Sequence, residues 1–277
     1  MKLLRKLRRW FKRKFGLARL VCLALLVAFA ALRVADPAPI EELRVRTFDG
    51  FQRIQPRTKM AKSPVVIVDI DDRSLAKFGQ WPWPRTRIAD LVAGLARLGA
   101  VAIGFDILFP EPDRLNPDIA ADTFHGLDEE TREKLRGLPS NDQVLADTMR
   151  RTRVILGETG LPKVVAELDK TLPVTGFAVL GGELGGHIYE FAGLLRNTPV
   201  LEAAAAGRGL LTINPERDGI IRRVPMITMA QDETMPALSA EILRVVTGTD
   251  TIFVKTDHVG IKSVAVKGLE VPTDRNG

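Results

Sequence analysis

The stretch Val65-Val-Ile-Val-Asp-Ile-Asp-Asp72 decides how the rest of the chain is read. Four β-branched residues in a row mark a buried strand, and the acids that follow sit where a strand would leave its sheet. Downstream, Asp72 and Ser74 can cap a short helix that Gly79 stops. A second helix is predicted over 86–98, with Ile88, Leu91, Val92, Leu95 and Leu98 on one stripe and Gly99 at its end. Val101-Ala-Ile-Gly-Phe105 supplies a second apolar strand. Strand, helix and strand in about forty residues make a βαβ unit with parallel strands.

Further along, residues 111–141 are polar and irregular, with room for a small surface helix. A helix near 142–150, a strand at 154–156, a helix at 237–247 and strands at 251–255 and 260–266 follow from the same patterns. A hairpin is expected from 209–213 and 220–227, which flank the turn-forming Asn214-Pro-Glu-Arg-Asp-Gly219. Residues 169–208 carry no clear period. The fold class is α/β: a mixed, partly parallel sheet with flanking helices, preceded by one N-terminal transmembrane helix.

Upstream of Val65, the chain has a different character. Residues 1–19 hold nine Lys or Arg and no Asp or Glu; the other residues hold 31 basic and 34 acidic side chains, a net −3. The high pI of 9.6 therefore belongs to the N-terminus, and no basic stripe is left to follow a phosphate backbone. Nucleic acid is excluded as a partner on that ground. The basic block leads into Leu20–Leu32, thirteen residues without a charge. With Arg19 and Arg33 snorkelling, a helix over 17–35 spans about 28 Å. Two readings fit: an uncleaved anchor, and a signal peptide cut near Ala28-Phe-Ala30. In both, the basic end stays cytoplasmic and the remainder is exported. Residues 36–63 form a juxtamembrane helix whose stripe Leu43, Phe48, Phe51 and Ile54 packs on the domain, which occupies 64–277. Residues 1–16 are the cytoplasmic segment.

Candidate chemistry is sparse. Cys22 is the single cysteine and lies in the apolar segment, so the exported part has neither disulfide nor thiolate metal ligand. His125, His187 and His258 are too far apart for a zinc motif. Gly176-Phe-Ala-Val-Leu-Gly-Gly182 places glycine where a phosphate-binding loop needs lysine. No catalytic residue, metal or cofactor is assigned. The carboxylates at the strand exits are the remaining candidates: Asp69 and Asp71 after the first strand, Asp106 after the second. They could hold a cation or a base, or simply cap helices and pair with arginine. Trp81, Trp83 and Arg85, in Gly79-Gln-Trp-Pro-Trp-Pro-Arg85, belong to the same sheet end, as a ligand crevice or as a lid on the core. Asp69, Asp106 and Arg85 are expected to converge, the guanidinium neutralising at least one acid.

Val65 to Leu75, the Trp-Pro-Trp-Pro-Arg loop and Leu98-Gly-Ala-Val-Ala-Ile-Gly-Phe-Asp-Ile-Leu-Phe-Pro-Glu-Pro-Asp113 together resemble the type-2 CHASE domain. Asp218-Gly-Ile-Ile-Arg-Arg-Val-Pro225 and the final Val271-Pro-Thr-Asp-Arg-Asn-Gly277 are similar to it as well. The resemblance is dense over 65–113 and patchier to 277. It implies a periplasmic sensory domain of a bacterial inner-membrane signalling protein, held by a single pass in this stretch. The output it implies is most often a class III adenylate or guanylate cyclase, with a histidine kinase, diguanylate cyclase or serine/threonine kinase as other outputs. These residues themselves are then not an enzyme. The domain is expected to continue past residue 277 toward the effector. A homodimer, the membrane and an extracytoplasmic ligand are the expected partners. The rivals are an exported metal-dependent hydrolase using Asp69, Asp71 and Asp106, and a structural dimerisation module.

Overall fold

The computed structural model describes residues 16–35, 37–56, 63–165, 174–213 and 215–277. The chain divides into two compact units, Met1–Asp69 and Ile70–Gly277. The expected cytoplasmic segment 1–16 lies outside the described residues except for Gly16.

The first unit contains helix α1 (Leu17–Ala35) and helix α2 (Ala38–Ile54), which starts at Pro37, a residue suited to a helix start. Helix α1 coincides with the stretch expected to be an anchor. Among the described residues no single helix is long and apolar enough to cross a membrane; α1 and α2 meet that requirement only as a bent pair. Leu43, Phe48, Phe51 and Ile54 on α2 are exposed.

Val65–Val68 also departs from expectation. The run is extended but belongs to no strand, and its side chains are 52–89% exposed. β-branching favours extended backbone, yet a strand forms only where a neighbouring edge takes its hydrogen bonds. The parallel ladder is made elsewhere, without this run.

The second unit is built on a central strand, β2 (Val154–Leu161), reached from β1 (Ile103–Phe105) through helices α5 (Pro117–Thr123), α6 (Glu129–Arg136) and α7 (Asn141–Arg150). Strand β1 pairs parallel with β2, Ile103 opposite Val154 and Phe105 opposite Leu156. On the other edge β6 (Gly207–Leu210) is parallel to β2 from Ile155 to Glu158. Past Glu158 that edge continues through Leu211 N to Glu158 O and Gly160 N to the Thr212 hydroxyl. Strand β5 (Gly193–Leu195) therefore takes over the β1 side, pairing antiparallel with Thr159–Leu161. Gly157 and Glu158 lie at the changeover.

Helices α3 (Asp72–Phe78) and α4 (Arg85–Arg97) precede β1, and the short α8 (Pro199–Glu202) precedes β6. Ile88, Ala89 and Val92 on α4, Leu145 and Met149 on α7, Leu201 on α8, and Phe105, Phe109 and Leu156 share one core. Leu98 follows the last turn of α4 and is 86% exposed, so the stripe stops one residue short of expectation.

Two further sheets, one of four strands and one of three, belong to this unit. Strands β9 (Thr251–Thr256), β10 (Ile261–Val266), β11 (Leu269–Pro272) and β3 (Gly176–Leu180) run in the order β11-β10-β9-β3. Strands β4 (Glu190–Phe191), β7 (Ile227–Ala230) and β8 (Glu233–Pro236) run β4-β7-β8. The expected hairpin is displaced. Its turn is Gln231-Asp232, both at positive φ (49° and 65°) as a two-residue hairpin requires, and it joins β7 to β8. Residues 215–224 form no strand and are tied by Arg222 to Glu216 and Asp218.

Helix α9 (Leu238–Thr247) lies against β6 so closely that a side chain at Gly209 would meet the Leu238 backbone at 2.6 Å. At Gly207 an added Cβ would meet the Glu241 carboxylate. The two glycines of Gly-Arg-Gly let the helix carry Glu241 onto the sheet.

Candidate functional site

The carboxyl end of β1 carries a loop, residues 106–116, into which helices α4 and α7 both direct their first turns. Pro84 is extended (φ −54°, ψ 144°) and starts α4, so Arg85 is its first residue. The Arg85 backbone N–H donates to Asp113 Oδ2 at 2.6 Å, its Nε to Asp142 Oδ1 at 3.3 Å, and its Nη2 to the Glu111 carbonyl at 3.0 Å. The guanidinium lies 4.4 Å from the Phe109 ring centre. Asp142 Oδ2 accepts from Asp113 N and Asn116 Nδ2, and Asn141 Nδ2 donates to Asp113 Oδ2. Arg85, Asp113, Asn116 and Asp142 are all buried. A charge removed from water to this extent persists only when its hydrogen bonds are met, as these are.

The tryptophan loop leads into this cluster through Pro84, and Trp83 shares a core with Phe109. Trp83 is buried and donates its indole N–H to the Gly79 carbonyl at 2.7 Å. It meets Phe78 and Trp81 edge-on at 5.6 and 5.9 Å. Trp81 is half-buried against the same core, and the Trp81–Pro82 peptide is cis.

The carboxylates fall differently from expectation. Asp71 caps α3, its Oδ1 accepting from Ser74 N at 2.8 Å and Ser74 Oγ at 2.7 Å, and these bonds hold its carboxyl below the usual range. Asp106 is exposed and makes no ion pair among the described residues. Alternation explains this, because Phe105 points into the core and the next side chain points out. Asp69 is exposed and belongs to the N-terminal unit. The acid paired with Arg85 is thus Asp142, not Asp106. Among the described residues no group of three His, Cys, Asp or Glu is placed to hold a metal ion.

A second buried cluster lies at the changeover on β2. Glu158 is fully buried; Arg208 on β6, Glu202 on α8 and Arg196 after β5 surround it. Arg208 Nη1 stands 3.5 Å from Glu158 Oε1 and 3.7 Å from Glu202 Oε2. Arg196 Nη2 meets Glu233 Oε2 of β8 at 2.9 Å. Burial pushes the Glu158 carboxyl up to about 8, helped by the hydrogen bond and charge of Glu202 and opposed by both arginines. Asn197 joins the two clusters. Its Oδ1 accepts from Phe109 N, its Nδ2 donates to the Gly157 carbonyl, and its N–H donates to Glu202 Oε1.

Sequence reasoning identified Arg85 but did not join it to its partners Asp113 and Asp142, and it missed Asn116, which donates to Asp142, and the whole Glu158 cluster. The available signal was a lone acid in the apolar run Val154-Ile-Leu-Gly-Glu158 and a lone base in Gly207-Arg-Gly-Leu-Leu211.

The family model of the CHASE2 domain matches residues 21–277. No curated protein and no solved structure matches the chain.

Proposed function

This chain belongs to the CHASE2 domain family, a family of extracytoplasmic sensory domains, and we propose that it is the input domain of a membrane-bound nucleotide cyclase. The observation that carries the reading is the extent of the match, residues 21–277, which takes in the first helix from its fifth residue and the described elements after it. In this reading, α1 anchors the domain in a bacterial inner membrane and residues beyond it lie in the periplasm. Two features support that placement. Val21, Leu23, Leu25, Leu26, Val27 and Phe29 on α1 are each at least 50% exposed, an all-round apolar surface that suits lipid. The nine basic residues of 1–19 favour the cytoplasmic side for the start of the chain.

The domain itself is a sensor, not a catalyst. The cyclase, a class III adenylate or guanylate cyclase, is a separate domain, and signalling runs through a homodimer. Its stimulus acts on the carboxyl end of the β1–β2–β6 sheet, where the two buried polar clusters meet. The test is to express the complete gene in a cyclase-deficient bacterium and measure cyclic nucleotide. Cyclic nucleotide that disappears with an inactivating change in the catalytic domain supports the reading. A gene whose downstream codons encode no cyclase overturns it.

A further inference from the structure

We propose that Glu158 and Glu202 share one exchangeable proton in a buried carboxyl pair, and that release of this proton is a stimulus the domain detects. The inference rests on the sensory reading above and names the chemistry of its signal.

Glu158 is fully buried, and its Oε2 finds no hydrogen-bond partner among the described residues. A bare carboxylate oxygen in a protein interior is less stable than a protonated one that can donate. Glu202 is the acceptor the geometry offers: its carboxyl lies within side-chain hydrogen-bond reach of Glu158, and Arg208 Nη1, 3.5 Å from Glu158 Oε1 and 3.7 Å from Glu202 Oε2, contacts both acids. The charges agree with this. From β2, α8 and β8 come Glu158, Glu202 and Glu233; from β6 and the end of β5 come Arg208 and Arg196. From α9, Glu241 accepts from the Arg208 N–H and is neutralised by Arg244, with Thr175 as a further donor. Among the described residues three acids face two bases, so one proton makes this group neutral. Its loss leaves two adjacent carboxylates in a dry interior.

The route outward is short. Glu202 ends α8 and accepts from the Asn197 N–H, and Asn197 also holds Phe109, on whose ring Arg85 rests. Repulsion between the ionised pair acts first on α8, then on the loop beneath the tryptophans.

The test uses the full 277-residue chain in lipid nanodiscs, unfolded by denaturant across a pH series. A raised carboxyl means the folded state holds one more proton than the unfolded state between the ordinary value of 4.5 and about 8. Stability from this group is complete below that window and falls as pH rises through it, the folded-to-unfolded ratio dropping up to tenfold per pH unit. Glu158→Gln keeps a donor toward Glu202 and cannot ionise. Its ratio relative to wild type should therefore climb through the window and level off above it. A pH profile in Glu158→Gln parallel to wild type would overturn the shared proton. Should that variant not fold, infrared spectra of the wild type provide the measurement: a protonated-carboxyl band near neutral pH that vanishes in alkali supports the pair, and its absence refutes it. Neither readout depends on an effector, so their failure leaves the sensory reading intact. A normal titration in a cyclase whose output is constant across the same pH range would instead refute the signalling role.

Discussion

Replacing Arg85 with alanine tests whether the cluster at the α4 start fastens the tryptophan loop. The substitution keeps the backbone N–H bond to Asp113 but removes three contacts: the 3.3 Å ion pair with Asp142, the 3.0 Å bond to the Glu111 carbonyl, and the 4.4 Å stacking on Phe109. Truncating one partner of a buried ion pair costs about 3–5 kcal/mol when the other is stranded. Asp142 is not fully stranded, because Asp113 N and Asn116 Nδ2 still donate to its Oδ2. That places the ion-pair loss nearer ~1–2 kcal/mol, with ~1 for the orphaned carbonyl and ~0.5–1 for the cation–π contact. The expected destabilisation is about 3 kcal/mol. Urea unfolding followed by tryptophan emission suits the measurement, since Trp81 and Trp83 lie in the loop that Arg85 supports. Arg85→Lys should recover less than half, because an ammonium cannot reproduce the fork or the stacking. An Arg85→Ala protein within about 0.5 kcal/mol of wild type, the usual range for surface changes, would refute the fastening role.

Gly209→Ala should destabilise by about 1–3 kcal/mol, the range for overpacking, because its Cβ would press on the Leu238 backbone at 2.6 Å; thermal unfolding measures this. Asp71→Ala removes the α3 cap and should lower stability by about 1 kcal/mol in urea titration, with Asp71→Asn largely retaining it. Arg222→Ala frees the loop held by Glu216 and Asp218, so proteolysis within 215–224 should quicken while the global unfolding midpoint stays put. Alkaline phosphatase fused after residue 60 should be active, and an inactive fusion contradicts export of the domain.

What the sequence disclosed follows from the range of each interaction. Helices α4, α7 and α9 were readable within one or two residues because capping and a 3.6-residue apolar stripe are local features. The β9 and β10 strands were readable from alternation. Val65–Val68 misled for the opposite reason: a β-branched run specifies extended backbone, but its partner edge is a non-local fact. The 209–227 hairpin misled because Asn-Pro-Glu-Arg-Asp-Gly is a strong turn signal, while the turn actually used, Gln231-Asp232, lacks glycine. At the site, Arg85 announced itself after Pro84. Asp142 lies 57 residues away and reads locally as an ordinary first-turn acid of a helix. Only the fold reveals that it is buried against a guanidinium.

The placement of charge along the sheet bears on where a signal can enter. At the amino end, Arg97 and Arg150 close α4 and α7, where basic side chains suit the helix dipoles, and an open depression of about 350 Å³ is lined by Arg150, Arg151 and Arg153. Those arginines are exposed, so water screens them and a change there alters the interior little. The carboxyl end is the reverse. Arg85, Asp142, Glu158, Glu202 and Arg208 are buried, and Asn197 ties the two groups through Phe109 and Glu202. Apolar residues of similar volume would often stabilise such a position as well or better. A buried polar network therefore contributes less to raw stability than to defining one arrangement sharply. It also makes that arrangement responsive, because a single proton or a displaced side chain changes the balance of the whole group. Sensing requires a site of that kind, held rigid in one state and sensitive to a small local change. The carboxyl end of the sheet, where we propose that the stimulus acts, combines those two properties in its buried Arg85 and Glu158 clusters.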